Sequence, residues 1–431
     1  MQILVISSYF GPETSVGVLR INALVKYWIR KNHFVHVITM PYAGQLTKSL
    51  QNKKRLTVHQ IRPLFLNRTP EKSSQCYSKE VKGIWKKVLN IQYWLKIKIF
   101  SNYLDPRILW WPRAALFACR CLTPKISFDF VFSTVPSYTA HSAAALVKFF
   151  NKDIKWVADY RDLWSGNPMF PGCRLIQSLE KIHEVKVLKK ADLVISINES
   201  LVKELKRLHG KKRNYAVTPN GYDEDEFPAH APLRKKKKSG KIKIIYAGSI
   251  LPGLQDPTPL LQAIKELAQE NKIKPENLSV EFYGNSTALE TNKIYSDESV
   301  QKYIKRHSKI PRPQIMRAEK LADLLLFLGS RPISEELGST VGVVSGKIFE
   351  YMISGTEVLA IGVTDKMLVA EMLIKSGTGR HYSTDVKKIK ERIIEGICFG
   401  VKKVTPNMKY LKQFRRSLHA NAILRAVQGL A

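Results

Sequence analysis

The sequence predicts an α/β chain built from two parallel, doubly wound sheets in tandem. Three observations carry that expectation. A strand, loop, helix, strand unit opens the chain; the same alternation repeats to about residue 222; and a second series starts afresh at residue 241, after the basic stretch LRKKKKSG (233–240). Alternation of this kind is the mark of βαβ units and a parallel sheet. At 431 residues the chain exceeds what one ordinary core holds, so more than one domain is expected.

Taken in order, QILVIS (2–7) is a short apolar run that stops at a loop containing Gly and Pro. A helical pattern follows over about Arg20 to Arg30, and HFVHVITM supplies the next strand. FDFVFST (128–134), KWVADY (155–160), ADLVISI (191–197) and YAVTPN read as further strands, with helices expected around 140–150, 174–190 and 199–208. KIKIIYAG (241–248) is the first strand of the second series. Helix 257–269, strand LSVEFYG, helices near 297–306 and over 319–327, helix GKIFEYMIS (346–354), strand EVLAIG, helix 365–375 and helices from about 384 and 406 follow. The expected domains are 1–222 and 241–405, both Rossmann-like, joined by a basic linker over 223–240. A helix in 406–431 is expected to return to the first domain. Two such sheets place a cleft at their carboxyl ends, where ligands bind.

The composition is ordinary except in charge. Apolar residues at 44% and charged residues at 25% argue against wholesale disorder and against an integral membrane protein. The formal charge of +34 and a pI near 9.9 call for a polyanionic partner, whether nucleic acid, anionic lipid or phosphate-bearing substrate, or else a solubilising surface. No helix-turn-helix, RRM or zinc pattern accompanies the charge, so a nucleic-acid partner is not expected. Residues 81–117 mix Lys and Arg with Trp85, Tyr93, Trp94, Phe100, Tyr103, Trp110 and Trp111. That pattern suits contact with an anionic membrane surface, and it equally suits aromatics packed on a sheet with lysines in water. Five cysteines without metal spacing fit a reducing compartment. The opening MQILVISSYF has no basic residues before its apolar run and reads as a strand, not a signal peptide. A cytoplasmic protein, peripheral at most at the inner face of the plasma membrane, is the expectation.

Ordered strings along nearly the whole chain are similar to family 4 glycosyltransferases. They are ILVISSYFGPETSVGVLRINALVKYWIRKNHFVHVIT, DPRILWWPRAALFA, FDFVFSTVPSYTAH, KWVADYRDLW, KKADLVISINESLVKEL with YAVTPNGYDEDEF, AGS followed by QDPTPLLQAI, and SGKIFEYMISGTEVLAIG. The resemblance, in its GKxFEY branch, implies the GT-B fold: two Rossmann-like doubly wound domains facing across a cleft. It also implies a nucleotide-diphosphate sugar donor bound by the second domain, an acceptor bound by the first, and retention of anomeric configuration. No cofactor or metal is implied. With the charge and the aromatic-basic segment, it leads to the expectation of a lipid-linked or cell-envelope glycan acceptor.

The resemblance also distributes roles. Glu350 in GKIFEY would accept hydrogen bonds from the ribose hydroxyls; a surface helix glutamate near a helix N-terminus is the alternative. Gly346 and Lys347 would meet the β-phosphate at the same helix start, Lys347 stabilising the leaving group, unless it is a solvated lysine. Gly248 and Ser249, after the second domain's first strand, fall in the donor loop, and Gly17 is the corresponding loop glycine of the first domain or simply a turn glycine. Arg161, beside Asp162, faces the cleft to contact phosphate or acceptor, or forms a structural ion pair. His141 would meet the donor sugar or acceptor, or else sit in the core.

Three features depart from the pattern or compete with it. Gly342 stands eight residues before Glu350, where many relatives have a first glutamate. Leu254 and Gln255 stand where related sequences often carry Lys or Arg for the diphosphate. These absences leave open a catalytically weakened accessory protein that binds sugar nucleotide or lipid. Asp223 and Asp225 in YDEDEF form an Asp-x-Asp pair of the kind that binds a divalent metal in the other major glycosyltransferase fold. Here it follows PNG at a domain boundary, so no metal site is expected.

Overall fold

The computed structural model describes residues 1–12, 16–51, 54–63, 110–135, 138–165, 167, 173–227, 240–330 and 344–430. Trp85 and Trp94, Gly342 and most of the basic stretch 233–240 lie outside them. The chain divides into two compact units, Met1–Pro219 with Arg416–Ala431, and Asn220–Arg415.

The first unit holds β1 (Gln2–Ile6), α1 (Val16–Arg30), β2 (Phe34–Thr39), β3 (Leu56–Gln60), α2 (Trp111–Phe117), β4 (Phe130–Thr134), α3 (Thr139–Phe150), β5 (Lys155–Tyr160), α4 (Arg174–Leu188), β6 (Leu193–Ser196), α5 (Glu199–His209) and β7 (Asn214–Val217). Its sheet runs β3-β2-β1-β4-β5-β6-β7 with every pairing parallel. The chain leaves β1 for β2 on one side and later returns to β4 on the other, which makes the β1/β4 edge the topological switch point. Alternate side chains serve opposite faces: Ile3 and Val5 join Trp28 and Phe130 in one core, while Leu4 and Ile6 join Trp156 and Tyr160 in the other. The last helix, Arg416–Gln428, packs on the α1 side, where Trp28 Nε1 donates to the Ala420 carbonyl at 3.0 Å.

The second unit repeats the plan with β8 (Ile242–Ala247), α6 (Thr258–Gln269), β9 (Leu278–Tyr283), the single turns α7 (Thr287–Glu290) and α8 (Glu298–Gln301), β10 (Ile304–His307), α9 (Arg312–Leu321), β11 (Leu324–Leu328), α10 (Lys347–Ile353), β12 (Glu357–Ile361), α11 (Leu368–Ser376), β13 (Gly379–His381), α12 (Val386–Phe399) and α13 (Met408–Leu411). Its order is β10-β9-β8-β11-β12-β13, again parallel throughout, with the switch point between β8 and β11.

Four readings of the sequence need correction. The helix expected near 297–306 is one turn followed by the strand β10, because Ile304–His307 pairs in register with Val280–Tyr283. The helix expected over 319–327 ends at Leu321, and Leu324–Leu328 is a central strand. Strands buried on both faces read as unbroken apolar runs with no period of their own, and LLLFL is one. Residues 220–227, assigned to the first domain's end and to a linker, belong to the second unit: Tyr222 and Phe227 are buried in its core with Phe349 and Phe414. Trp110 is fully buried in the first unit's core, so its ring is not free to enter a membrane interface, and Trp111 packs partly buried against that core.

Candidate functional site

In the second unit the site grows from the carboxyl end of β8, beside the switch point. Gly248 follows the strand with φ of +119°, in the region that favours glycine. A Cβ built there would lie 2.5 Å from both Cε and Nζ of Lys347. The missing side chain is therefore the space the lysine occupies. The Gly248 N–H is committed to the Tyr283 carbonyl at 2.7 Å, so the glycine contributes room and not a donor.

Lys347 is the first residue of α10, and its Nζ donates to Tyr246 Oη at 3.0 Å while lying 4.1 Å from the centre of that ring. Partial burial pushes its pKa down to about 8, against the opposing pull of the Glu319 carboxylate. Tyr246 ends the buried run of β8 and in turn binds the Ser249 carbonyl at 2.8 Å. Gln255 braces this loop: its Oε1 accepts from Leu251 N–H at 3.1 Å and its Nε2 donates to the Leu328 carbonyl at 3.3 Å. The ammonium thus sits on an aromatic face over a glycine, in a loop held by a neutral side chain.

One turn into α10, Glu350 meets Arg312 at the start of α9. Nη2 and Nη1 of the arginine donate to the two carboxylate oxygens at 2.7 and 3.2 Å. The same guanidinium binds Glu226 through Nε at 3.0 Å and Nη2 at 2.6 Å. Burial opposes the arginine's charge, but the hydrogen bonds it donates to Glu226 and the charge of Glu350 outweigh it and raise its pKa. Planar two-pronged pairing of this kind fixes orientation as well as charge. Glu319, on α9, is buried; desolvation and the nearby Glu350 push its carboxyl up to about 8, while Arg312 and Lys347 pull the other way. Asp223, one member of the Asp-x-Asp pair, accepts from the Asp225 N–H at 3.2 Å within a turn. Among the described residues no group of three or more His, Cys, Asp and Glu is arranged to hold a metal ion.

The first unit carries its own cluster at the carboxyl ends of β1, β4 and β5. A Cβ on Gly17 would fall 2.6 and 2.9 Å from the two terminal nitrogens of Arg161, so this glycine too makes way for a cation. Arg161 is buried and its Nε donates to the Val135 carbonyl at 2.5 Å. Behind it Arg20 and Asp159 form a buried ion pair with contacts of 2.9 and 3.2 Å, and Thr134 Oγ1 donates to the same aspartate at 2.7 Å. His141 belongs to the core reading: it has no exposed surface, its Nδ1 is 2.7 Å from Ser133 Oγ, its ring lies 4.8 Å from Tyr160, and burial pushes its pKa down to about 3. These contacts place His141 among the core side chains, the alternative left open for it.

The structure therefore brings Gly248, Ser249, Gly346, Lys347 and Glu350 into one neighbourhood, and Gly17 and Arg161 into another. Sequence reasoning missed Tyr246, Arg312, Glu226 and Glu319. Arg312 lies between two prolines, Pro311 and Pro313, where no element was assigned, and Glu319 fell in the misplaced helix. The one available signal was Tyr246, a polar-tipped residue closing an apolar strand.

Residues 18–226 match the model of Glycosyltransferase Family 4. Among solved structures, a glycosyltransferase from Rickettsia africae is similar over 100% of this chain and 98% of its own, with 15% identity and a TM-score of 0.61. The lipopolysaccharide outer core galactosyltransferase WaaB in its apo form is similar at 12% identity, covering 100% of both chains, with a TM-score of 0.57. A UDP-forming trehalose-phosphate synthase from Burkholderia xenovorans, solved with glucose-6-phosphate, gives 12% identity and a TM-score of 0.61 over 99% of this chain and 100% of its own. Identities this low speak for the fold alone, and that fold is GT-B. No curated protein sequence matches the chain. Family and fold together make the protein a glycosyltransferase of GT-B type.

Proposed function

We propose that the protein moves a hexose from a nucleotide-diphosphate donor to a lipid-linked or cell-envelope glycan, with retention, and that the donor is held in the second unit. The observation that carries this reading is the ammonium of Lys347 seated over Gly248 at the carboxyl end of β8, the position in such sheets where phosphate is met. Its partial desolvation strengthens any interaction with a departing diphosphate. Glu350, oriented by Arg312, has the acceptor oxygens needed for ribose hydroxyls. In the step itself the acceptor oxygen bonds to the anomeric carbon as the bond to the β-phosphate oxygen breaks. The electron pair leaves with the nucleoside diphosphate, and the acceptor proton passes to that phosphate oxygen. Similar structures described as UDP-forming and as a lipopolysaccharide galactosyltransferase support the donor class and the envelope acceptor.

Replacing Lys347 with Ala tests the assignment: turnover should fall by about a hundredfold or more with little change in thermal stability. An active Lys347→Ala enzyme would remove the role from this residue. A second reading, an accessory protein that binds sugar nucleotide without transferring it, is favoured by Leu254 and Gln255 in place of cations. Donor binding without release of nucleoside diphosphate in the purified protein would establish it.

A further inference from the structure

We infer that the outward face of α4, on the first unit, is a docking surface for an anionic lipid bilayer. Leu175, Leu179 and Ile182 are 69%, 47% and 51% exposed. Single exposed aliphatics are commonplace, but these three recur at i, i+4 and i+7 and so form one stripe along the helix. Lys186 and then Lys189 and Lys190 continue the same line past the helix end, and Arg174 and Lys181 flank it, all of them exposed. The only acids between 174 and 190 are Glu180 and Glu184, and both are buried.

The rotation of the helix is pinned from inside. Glu184 accepts from Tyr160 Oη at 2.8 Å and from the Ser165 N–H at 2.9 Å, with His209 Nε2 at 3.2 Å. A helix held by its acids cannot turn Leu175, Leu179 and Ile182 inward. Beside its end, Lys190 Nζ lies 3.8 Å from the centre of the Phe149 ring, and Phe149 and Phe150 close α3 at 53% and 64% exposure. An aliphatic stripe rimmed by cations, with no exposed acid along it, complements a surface that offers hydrocarbon beneath negative head groups. Lysine stems can lie along the acyl boundary while their ammonium groups stay at the phosphates. The partner is thus the membrane itself. The inference rests on the membrane-linked acceptor proposed above and names the face that would meet it.

The test is sedimentation of the full chain with vesicles of pure phosphatidylcholine and of equimolar phosphatidylglycerol and phosphatidylcholine, in the absence of donor and acceptor. Wild type should bind the anionic vesicles alone, and binding should weaken as salt shortens the Debye length but persist in part. The triple variant Leu175→Ser, Leu179→Ser, Ile182→Ser should lose the salt-resistant part by roughly tenfold or more. Lys186→Glu with Lys189→Glu should abolish binding at low salt. All five positions are exposed, so both variants should keep wild-type melting and nucleotide-sugar affinity. Undiminished binding by either variant would overturn the assignment of the face, and equal binding to neutral vesicles, or none to either, would overturn the anionic bilayer as partner. A wild-type dimer that the serine variant splits, seen by light scattering, would overturn it in favour of a second copy of the chain. Vesicle binding needs no turnover, so its failure is separable from failure of the transferase reading, which donor binding and transfer report.

Discussion

Replacing Gly248 with Ala should inactivate the enzyme by displacing a side chain a hundred residues away in sequence. The added Cβ would sit 2.5 Å from Lys347 Cε and Nζ, well inside contact distance, and at φ of +119° the alanine is itself strained. The strain costs on the order of 1–3 kcal/mol. For a unit of this size, that lowers Tm by very roughly 2–12 °C. The lysine is flexible and yields, which takes its ammonium off the Tyr246 ring and away from the place proposed for the donor phosphates. Losing one such donor costs about a hundredfold or more in turnover. Turnover of Gly248→Ala, Lys347→Ala and the double variant, measured as nucleoside diphosphate release below the Gly248→Ala melting temperature, separates the two effects. Because both changes act through one contact, the double variant should be no slower than Lys347→Ala alone. Wild-type turnover in Gly248→Ala, or multiplicative losses in the double variant, would refute the claim that this glycine exists to seat the lysine.

Other consequences follow from the same geometry. Glu350→Ala should weaken nucleotide-sugar binding by about 1.5–3 kcal/mol, roughly ten- to a hundredfold and more, while Arg312 keeps Glu226 and the fold is retained; calorimetry decides it. Lys347 is charged below its pKa of about 8 and neutral above it, so kcat/KM should hold up to that pH and fall beyond it. Glu319→Gln removes a carboxyl that titrates in the same range and whose ionised form raises the Lys347 pKa, so the alkaline limb should move to lower pH; a limb that stays put would assign it to another group. His141→Leu leaves the buried Ser133 hydroxyl short of a partner and should cost about 1–3 kcal/mol of stability by denaturant titration, with turnover per folded molecule unchanged.

Much of this was legible in the sequence because βαβ units announce themselves through local pattern. The apolar runs at 2–7, 155–160 and 241–248 each stop at turn residues, and Arg161, Gly248 and Ser249 sit at or just beyond such stops. What escaped was settled by partners distant in sequence. IKRH becomes the strand β10 only because β9 offers an open edge, and LLLFL is a strand only because β8 and β12 lie on either side. Composition placed Trp110 in an aromatic-basic stretch suited to a membrane, yet burial depends on what packs against a ring, and Trp110 is enclosed in a core. The bridge from Glu226 through Arg312 to Glu350 spans three segments, none of which carries a pattern that pairs it with the others.

Titration of the purified protein with a panel of UDP- and GDP-sugars, followed by release of nucleoside diphosphate with an acceptor extract present, tests the central claim most directly. One sugar nucleotide should bind and be consumed by wild type, with binding weakened in Glu350→Ala and release lost in Lys347→Ala. Failure of every sugar nucleotide to bind, or binding and release that ignore both substitutions, would contradict the assignment of this site.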